Sequence, residues 1–264
     1  METASTLGVD LSTDPKRTAI CLLEWPGVAR HARITHLAVG ATDEAVVSAA
    51  AGALYIGIDA PFGWPKAWAT AVAAYRPGDP FAAQGSPAEL TRRYTDGWIA
   101  ANVGIRPLPV AANLIGATAI RCARLVSALG RPVDTGVGVQ PGSVSEVYPA
   151  AALKRWGQSF TLYKGRQWRE ARLALVAALI EAGLPVALTS AQRATLEASD
   201  DALDALIASL VARAVGLGLT DACPPEARES CRNEGWIRVP AAGTSLRDLI
   251  EIRPGRRPTV STTQ

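Results

Sequence analysis

The sequence predicts a mixed α/β fold, in which three antiparallel strands are followed by parallel strands and helices flank the sheet. Two β-rich runs, 7–11 and 18–25, are separated by Ser-Thr-Asp-Pro at 12–15, which is typical of a hairpin turn. A third β-rich run at 29–36 then leads into alternating helices and strands. Because the chain has 264 residues, of which 48% are apolar, it is long enough to bury a full core.

The later elements follow from helical periodicity and from turn residues. An alanine-rich helix at 42–53, capped by Thr42 or Asp43, precedes a buried strand at 53–59. The other predicted elements are a mostly helical stretch at 66–131, a strand at 143–148, a short helix at 150–156, amphipathic helices at 166–182 and 200–217, and a last strand at 235–240. We predict one domain over 1–252 with a helical insertion at about 66–131, and a flexible tail at 253–264 without apolar periodicity.

Composition narrows the functional classes. The net charge of +3 is mildly basic, so charge alone does not indicate nucleic-acid binding. The four cysteines lack Cys-x-x-Cys spacing and both histidines lie far from them in sequence, which argues against zinc. Cys223 and Cys231 flank a loop and could pair, but without a secretory signal we expect free thiols. No apolar run reaches membrane-spanning length, so we expect a soluble cytoplasmic protein with no membrane contact.

Acidic residues recur where elements end or face inward. Asp10 and Asp59 each close an apolar strand, and Glu146 lies near the end of a third strand. Asp201 and Asp204 are three residues apart, so they project from one face of a late helix. Since a buried carboxylate without a partner is costly, convergence on a shared cation would account for this pattern.

Carboxylates from separate elements, without histidine or thiolate, suit Mg²⁺ or Mn²⁺. A pair of such ions activates water and stabilises the leaving oxygen in phosphodiester hydrolysis. In this interpretation Asp10 anchors the metal, Asp59 and Asp204 complete the ligand set, and Asp201 or Glu146 supports the ligands or orients the water.

Each acid also has a purely structural interpretation. Asp59, before Ala-Pro, could accept backbone hydrogen bonds in a turn, and Glu146 could be an exposed acid at a strand end. Asp200 and Asp201 could cap the late helix, and for Asp200 we prefer the cap. Asp204 lies one turn inside that helix, where capping no longer applies, so it requires another explanation.

Arginines provide candidate phosphate contacts. Arg92, Arg93 and Asp96 form a polar cluster, in which the arginines could hold substrate phosphate or pair with Asp96. In a second set, three arginines share one face of a predicted helix and two further basic residues could join them. The three are Arg166, Arg169 and Arg172, and the other two are Lys164 and Arg155. This set could track phosphates, although a solvated helix face explains it more simply.

The order of elements and acids resembles the ribonuclease H-like fold, and the Asp-x-x-Asp-Ala-Leu of the late helix is similar to that of Holliday-junction resolvases. More closely, the chain resembles the family called domain of unknown function 429, roughly over 7–240. The segments that carry this resemblance are Gly8-Val9-Asp10, Gly57-Ile58-Asp59-Ala60-Pro61-Phe62-Gly63, Arg92-Arg93-Tyr94-Thr95-Asp96, Glu146-Val147-Tyr148-Pro149, Asp204-Ala205-Leu206 and Glu234-Gly235-Trp236-Ile237.

The resemblance implies a predicted ribonuclease H-like nuclease without an established substrate. Position by position, Asp10, Asp59 and Asp204 would be the metal-binding acids, with Asp201 and Glu146 as further candidates. The chain lacks the histidine that several superfamily members place near the late helix.

We therefore predict a Mg²⁺- or Mn²⁺-dependent phosphodiester hydrolase, with nucleic acid as a candidate partner and Arg92 in contact with phosphate. One alternative is a nucleotide-binding phosphotransferase or ATPase of actin-like topology, for which the segment 134–138 (Asp-Thr-Gly-Val-Gly) is the only candidate for the second phosphate hairpin. Another is a non-catalytic binding module that keeps the acids for structure or for a partner.

Overall fold

A seven-stranded mixed sheet runs through the described part of the computed structural model, which comprises residues 4–27, 31–78, 85–111 and 115–250. The strands are β1 (Ala4–Asp10), β2 (Ala19–Trp25), β3 (Ala32–Val39), β4 (Tyr55–Asp59), β5 (Val144–Val147), β6 (Val186–Ala187) and β7 (Ile237–Arg238). Their order across the sheet is β6-β3-β2-β1-β4-β5-β7.

Antiparallel pairing holds β1, β2 and β3 together, whereas β1–β4, β4–β5 and β5–β7 are parallel. The mixed sheet predicted from the sequence is therefore confirmed. The short edge strand β6, which pairs parallel with β3, was not predicted.

Ten α-helices surround this sheet in the described residues. They are α1 (Asp43–Ala50), α2 (Lys66–Ala74), α3 (Pro87–Thr91), α4 (Tyr94–Asn102), α5 (Gly116–Leu129), α6 (Pro149–Arg155), α7 (Arg169–Glu181), α8 (Ser190–Ala198), α9 (Asp200–Gly216) and α10 (Arg228–Glu234). Four of them, α2 to α5, lie between β4 and β5, in the stretch predicted to be mostly helical. The domain bounds 1–252 stay a prediction, and the predicted tail at 253–264 lies outside the described residues.

The helix α9 covers the centre of the sheet, packing across β1, β2 and β4. It is buried almost throughout, and its apolar side chains belong to the largest core cluster, together with β2, β3 and α7. A second core cluster, on the other face, joins Leu7, Val9, Ile56 and Ile58 to residues of α1 and α5. The sheet is thus covered on both faces, as its parallel half requires.

Two glycines allow α9 to approach the sheet closely. A Cβ atom at Gly8 would overlap the Ala205 carbonyl oxygen and the Ser209 amide nitrogen, and one at Gly57 would lie 2.6 Å from the Ala208 carbonyl oxygen. Side chains alternate along a strand, so Gly8 shares its face with Asp10, two residues on, and Gly57 shares its face with Asp59. The glycines therefore set the distance between α9 and the strand-end acids.

Two local predictions are corrected here. The cap of α9 is Ser199, whose hydroxyl accepts the Ala202 N–H, while Asp200 is the first helical residue and accepts the Gly165 N–H. The expectation of free thiols is wrong for Cys223 and Cys231, which form a disulfide because both lie in the buried cluster that also contains Ala227 and Trp236.

Among the described residues, no helix is both long enough and apolar enough to cross a membrane. The cytoplasmic location stays a prediction.

Replacing Gly8 with alanine tests the close approach of α9. The added methyl group meets helix backbone, which cannot rotate away. We therefore expect a loss of about 1–3 kcal/mol or more in the free energy of unfolding. The matched control is Gly97→Ala in α4, where an added Cβ meets nothing within 4 Å. That change should be neutral or stabilise the protein by up to about 1 kcal/mol. Equal effects of the two substitutions in urea unfolding would contradict this account.

Candidate metal centre

Strand register brings the first two acids together. Asp10 and Asp59 are direct partners at the carboxyl ends of the parallel strands β1 and β4. Both project toward α9, which places Asp204 against them. Each of the three carboxylates offers an oxygen, and these oxygens all lie within 4.8 Å of one another. The sequence-predicted acids Asp10, Asp59 and Asp204 thus form one cluster, called here the acidic triad.

The members of the triad differ in their hydrogen bonding. Asp204 is buried and accepts a hydrogen bond from the Tyr163 hydroxyl at 2.8 Å, and Lys164 Nζ lies 2.6 Å from its other oxygen. No residue in the described part of the chain donates a hydrogen bond to the carboxylate of Asp10 or Asp59. Two of the three acids therefore keep oxygen lone pairs available to a cation.

Burial makes the triad electrostatically costly. Desolvation, followed by the nearby charges of Asp204 and Asp59, raises the pKa of Asp10 well above its usual value. Desolvation raises the pKa of Asp59 to about 7, although Lys164 opposes the shift. The pKa of Asp204 is also raised by burial, against the lowering effect of Lys164 and Tyr163. A bound divalent cation would remove this cost by pairing with the ionised carboxylates.

Lys164 is the cation already present at the triad. Its side chain is half-exposed. Desolvation lowers its pKa, but the neighbouring carboxylates, that of Asp204 foremost, outweigh this effect and raise it well above the usual value. One ammonium group thus faces three carboxylates. The donor set contains only carboxylate oxygens, the ligand type that hard cations such as Mg²⁺ and Mn²⁺ prefer.

The triad lies at a pocket of about 570 Å³. Asp10, Asp59 and the loop from Phe160 to Lys164 all line it. This position, beyond the carboxyl ends of parallel strands, is the usual one for ligand sites in open α/β sheets.

Comparison with protein families gives a match that spans most of the chain. The family model described as a protein of unknown function (DUF429) matches residues 8–229. The chain belongs to the DUF429 family. No curated protein and no solved structure matches it.

In this DUF429 chain, Glu146 does not join the triad. It is the register partner of Ile58, so it lies on the opposite sheet face from Asp59. There Arg93 donates to both of its oxygens at 2.8 Å, and the Phe62 N–H donates to one of them.

Arg93 and Asp96 complete a buried network with Glu146. Arg93 also donates from two side-chain nitrogens to Asp96, at 2.8 and 3.2 Å, and all three side chains are at most 3% exposed. Every carboxylate oxygen of Asp96 and Glu146 accepts a hydrogen bond. The three side chains bind one another, which favours an architectural role over direct contact with substrate.

The remaining predicted site residues are dispersed. Asp201 pairs with the exposed Arg17 at 2.9 Å, outside the triad. Arg92 is partly exposed and donates to the Pro107 carbonyl. The prediction that Arg172 shares an exposed face with Arg166 and Arg169 is wrong, because Arg172 is buried and donates to four backbone carbonyls between 163 and 198.

Tyr163 and Lys164 are the site residues that sequence reasoning missed at the triad. The sequence pattern groups Lys164 only with the basic residues that could track phosphates. Only four of the 27 Lys and Arg residues are lysines, so Lys164 is an uncommon residue type in this chain. That rarity does not indicate where Lys164 lies in the fold. Their loop has no periodic pattern, and only the tertiary structure connects it to α9.

Arg93→Met tests the buried network. The substitution leaves two buried carboxylates without their cation, so we expect a loss of about 3–5 kcal/mol in the free energy of unfolding. The matched control is the neighbouring Arg92→Met, which should change that free energy by no more than about 0.5 kcal/mol. Denaturant unfolding measures both, and a small effect of Arg93→Met would show that the network is not structural.

The raised pKa of Asp59 predicts a pH dependence of the metal-free protein. An unfolded aspartate has a pKa of about 3.9, whereas the pKa of Asp59 in the folded protein is about 7. Between these two pH values Asp59 is protonated in the folded state and ionised in the unfolded state. The free energy of unfolding should therefore rise as the pH falls from 8 toward 5. Asp59→Asn, which cannot ionise, should flatten this rise in urea titrations made with chelator present. An equal slope in both proteins would contradict the assigned shift.

Proposed function

We propose that this DUF429 protein is a Mg²⁺- or Mn²⁺-dependent phosphodiester hydrolase and that its natural substrates are nucleic acids or nucleotides. The acidic triad carries this proposal. In the Arg93 network every carboxylate oxygen is hydrogen-bonded, whereas the described residues give Asp10 and Asp59 no donor. Acids kept only for structure would be hydrogen-bonded like those of the Arg93 network, since an unsatisfied buried carboxylate destabilises the fold.

We further propose that the fold is ribonuclease H-like. The sheet order β3-β2-β1-β4-β5, with three antiparallel strands and then parallel ones, supports this assignment. So does the position of the acids at the ends of β1 and β4 and one turn inside α9.

Each residue of the site has a separate task in this proposal. Asp10, Asp59 and Asp204 would hold the cation through carboxylate oxygens. When bound, the cation would supply Lewis-acid activation of the phosphodiester and a lowered pKa for the attacking water. Tyr163 and Lys164 orient Asp204 by binding one oxygen each. In the reaction, a water oxygen bonds to phosphorus, one P–O ester bond breaks, and the leaving alcohol takes up a proton.

No observation favours the phosphotransferase alternative. The candidate second phosphate hairpin, 134–138, already uses its polar groups within the protein. The Gly136 N–H donates to the Asp134 carboxylate, which also pairs with Arg238. Gly136 itself packs against Trp236 and Cys223. A backbone amide already bonded within the protein is not available to bind phosphate.

Asp204→Asn tests the proposed function most simply. The parent protein should bind Mn²⁺ in calorimetry and cleave bis(p-nitrophenyl) phosphate only with Mg²⁺ or Mn²⁺. Loss of a ligand should weaken Mn²⁺ binding by more than about tenfold, since even residues that only support a ligand cost that much, and cleavage should be lost.

The control is Glu44→Gln, which removes one exposed acid from α1 and should alter neither property. Unchanged Mn²⁺ binding in Asp204→Asn would exclude the triad as the cation site. Metal binding without any cleavage by the parent protein would instead favour the non-catalytic module.

A further inference from the structure

The wall of the pocket beside the triad is mainly apolar. At about 570 Å³, the pocket lies within the range of roughly 300–1,000 Å³ that small-molecule sites occupy. Its apolar lining residues include Pro107, Leu108, Ile115, Tyr148, Phe160 and Leu162. A site for a bare phosphate or a bare cation would need no such surface.

Two features of the loop at 160–164 point to ligand contact. Leu162 is 61% exposed and has a φ of 58°, a left-handed conformation that no other non-glycine residue in the described chain adopts. Strain of this kind persists only where surrounding structure or function maintains it. The Phe160 ring packs against the largest core cluster, and the Lys154 ammonium, which donates to the Gly104 carbonyl, lies 5.0 Å from its centroid.

The charges of the pocket limit what it can bind. Of its described lining residues only Arg93 and Lys164 are cationic, and both are in ion pairs with carboxylates. Proteins that follow the backbone of a long duplex neutralise several phosphates with separate Lys and Arg side chains. This pocket offers carboxylates for one cation-bridged phosphate and an apolar wall for an uncharged group next to it.

We propose that the pocket takes a single nucleoside unit, with its base against Phe160 and Leu162 and its phosphodiester at the triad. The proposal rests on the proposed function and specifies its substrate class. The ligand is one unstacked nucleotide, supplied either by a small nucleotide ester or by the unpaired end of a strand. A base inside a duplex cannot enter without first being unpaired, at a cost of a few kcal/mol.

Binding of adenosine to the metal-free protein tests the pocket without requiring metal or hydrolysis, because adenosine is uncharged and is not repelled by the triad. We expect saturable binding in calorimetry. Phe160→Leu keeps apolar bulk but removes the flat ring, and should weaken binding by about 5- to 150-fold, the range for base–aromatic stacking. Leu162→Ala should weaken it at least about threefold. The matched control, Leu54→Ala, removes another exposed leucine that does not line the pocket and should have no effect.

Cleavage with Mn²⁺ distinguishes the two sources of the nucleotide. Faster cleavage of a dinucleoside phosphate identifies small nucleotides, and faster cleavage of a single-stranded oligonucleotide identifies unpaired ends. In either case a blunt duplex should be cut at least about tenfold more slowly.

Absence of adenosine binding, or binding unaffected by Phe160→Leu and Leu162→Ala, overturns the pocket proposal even if phosphodiesters are hydrolysed. Equal cleavage of blunt duplex and single strand also overturns it. Adenosine binding without cleavage of any substrate supports the pocket and removes the hydrolase.

Discussion

The close approach of α9 to β1 and β4 is the contact on which the candidate site depends. Gly8 and Gly57 present no side chain to the helix, so its backbone lies directly against the strands. Asp10 and Asp59 follow these glycines by two residues and therefore face the same helix. Asp204 meets them only because of this spacing. The same packing that buries the apolar residues of α9 thus also concentrates negative charge at the end of the sheet.

Two acid networks lie on opposite faces of the sheet and differ in how many carboxylates share one cation. Around Arg93, two carboxylates share one guanidinium and all of their oxygens are hydrogen-bonded. At the triad, three carboxylates share one ammonium, that of the half-exposed Lys164, and burial raises the pKa of each acid. The first arrangement stabilises the protein as it stands. The second has more carboxylates for its one cation, so bound protons or an added cation would stabilise it, which is the property expected of a binding site.

Sequence reasoning identifies a site residue only where its position follows from the local pattern of a strand or a helix. Asp10 and Asp59 close short apolar strands, and Asp204 lies inside an apolar helix, so pattern alone marked them. Glu146 looked equivalent, but a shift of one residue in register decides which face a strand residue occupies, and sequence does not give the register. Lys164 lies in an irregular loop, so its contact with Asp204 follows only from the tertiary structure.

Two other failures of sequence-based prediction concern the residues at which helices begin, not contacts between residues distant in sequence. Ser199 and Asp200 are both good capping residues, and the structure selects Ser199 because its hydroxyl reaches the Ala202 N–H. Helix α8 was not predicted, although Thr189 and Gln192 form a capping box that the sequence displays.

The most direct test of the central claim is the anomalous scattering of a crystal soaked in Mn²⁺. We expect a strong peak bounded by the carboxylates of Asp10, Asp59 and Asp204, with the Lys164 ammonium displaced from Asp204. A soaked crystal with no peak at these three carboxylates and with Lys164 still paired to Asp204 would contradict it.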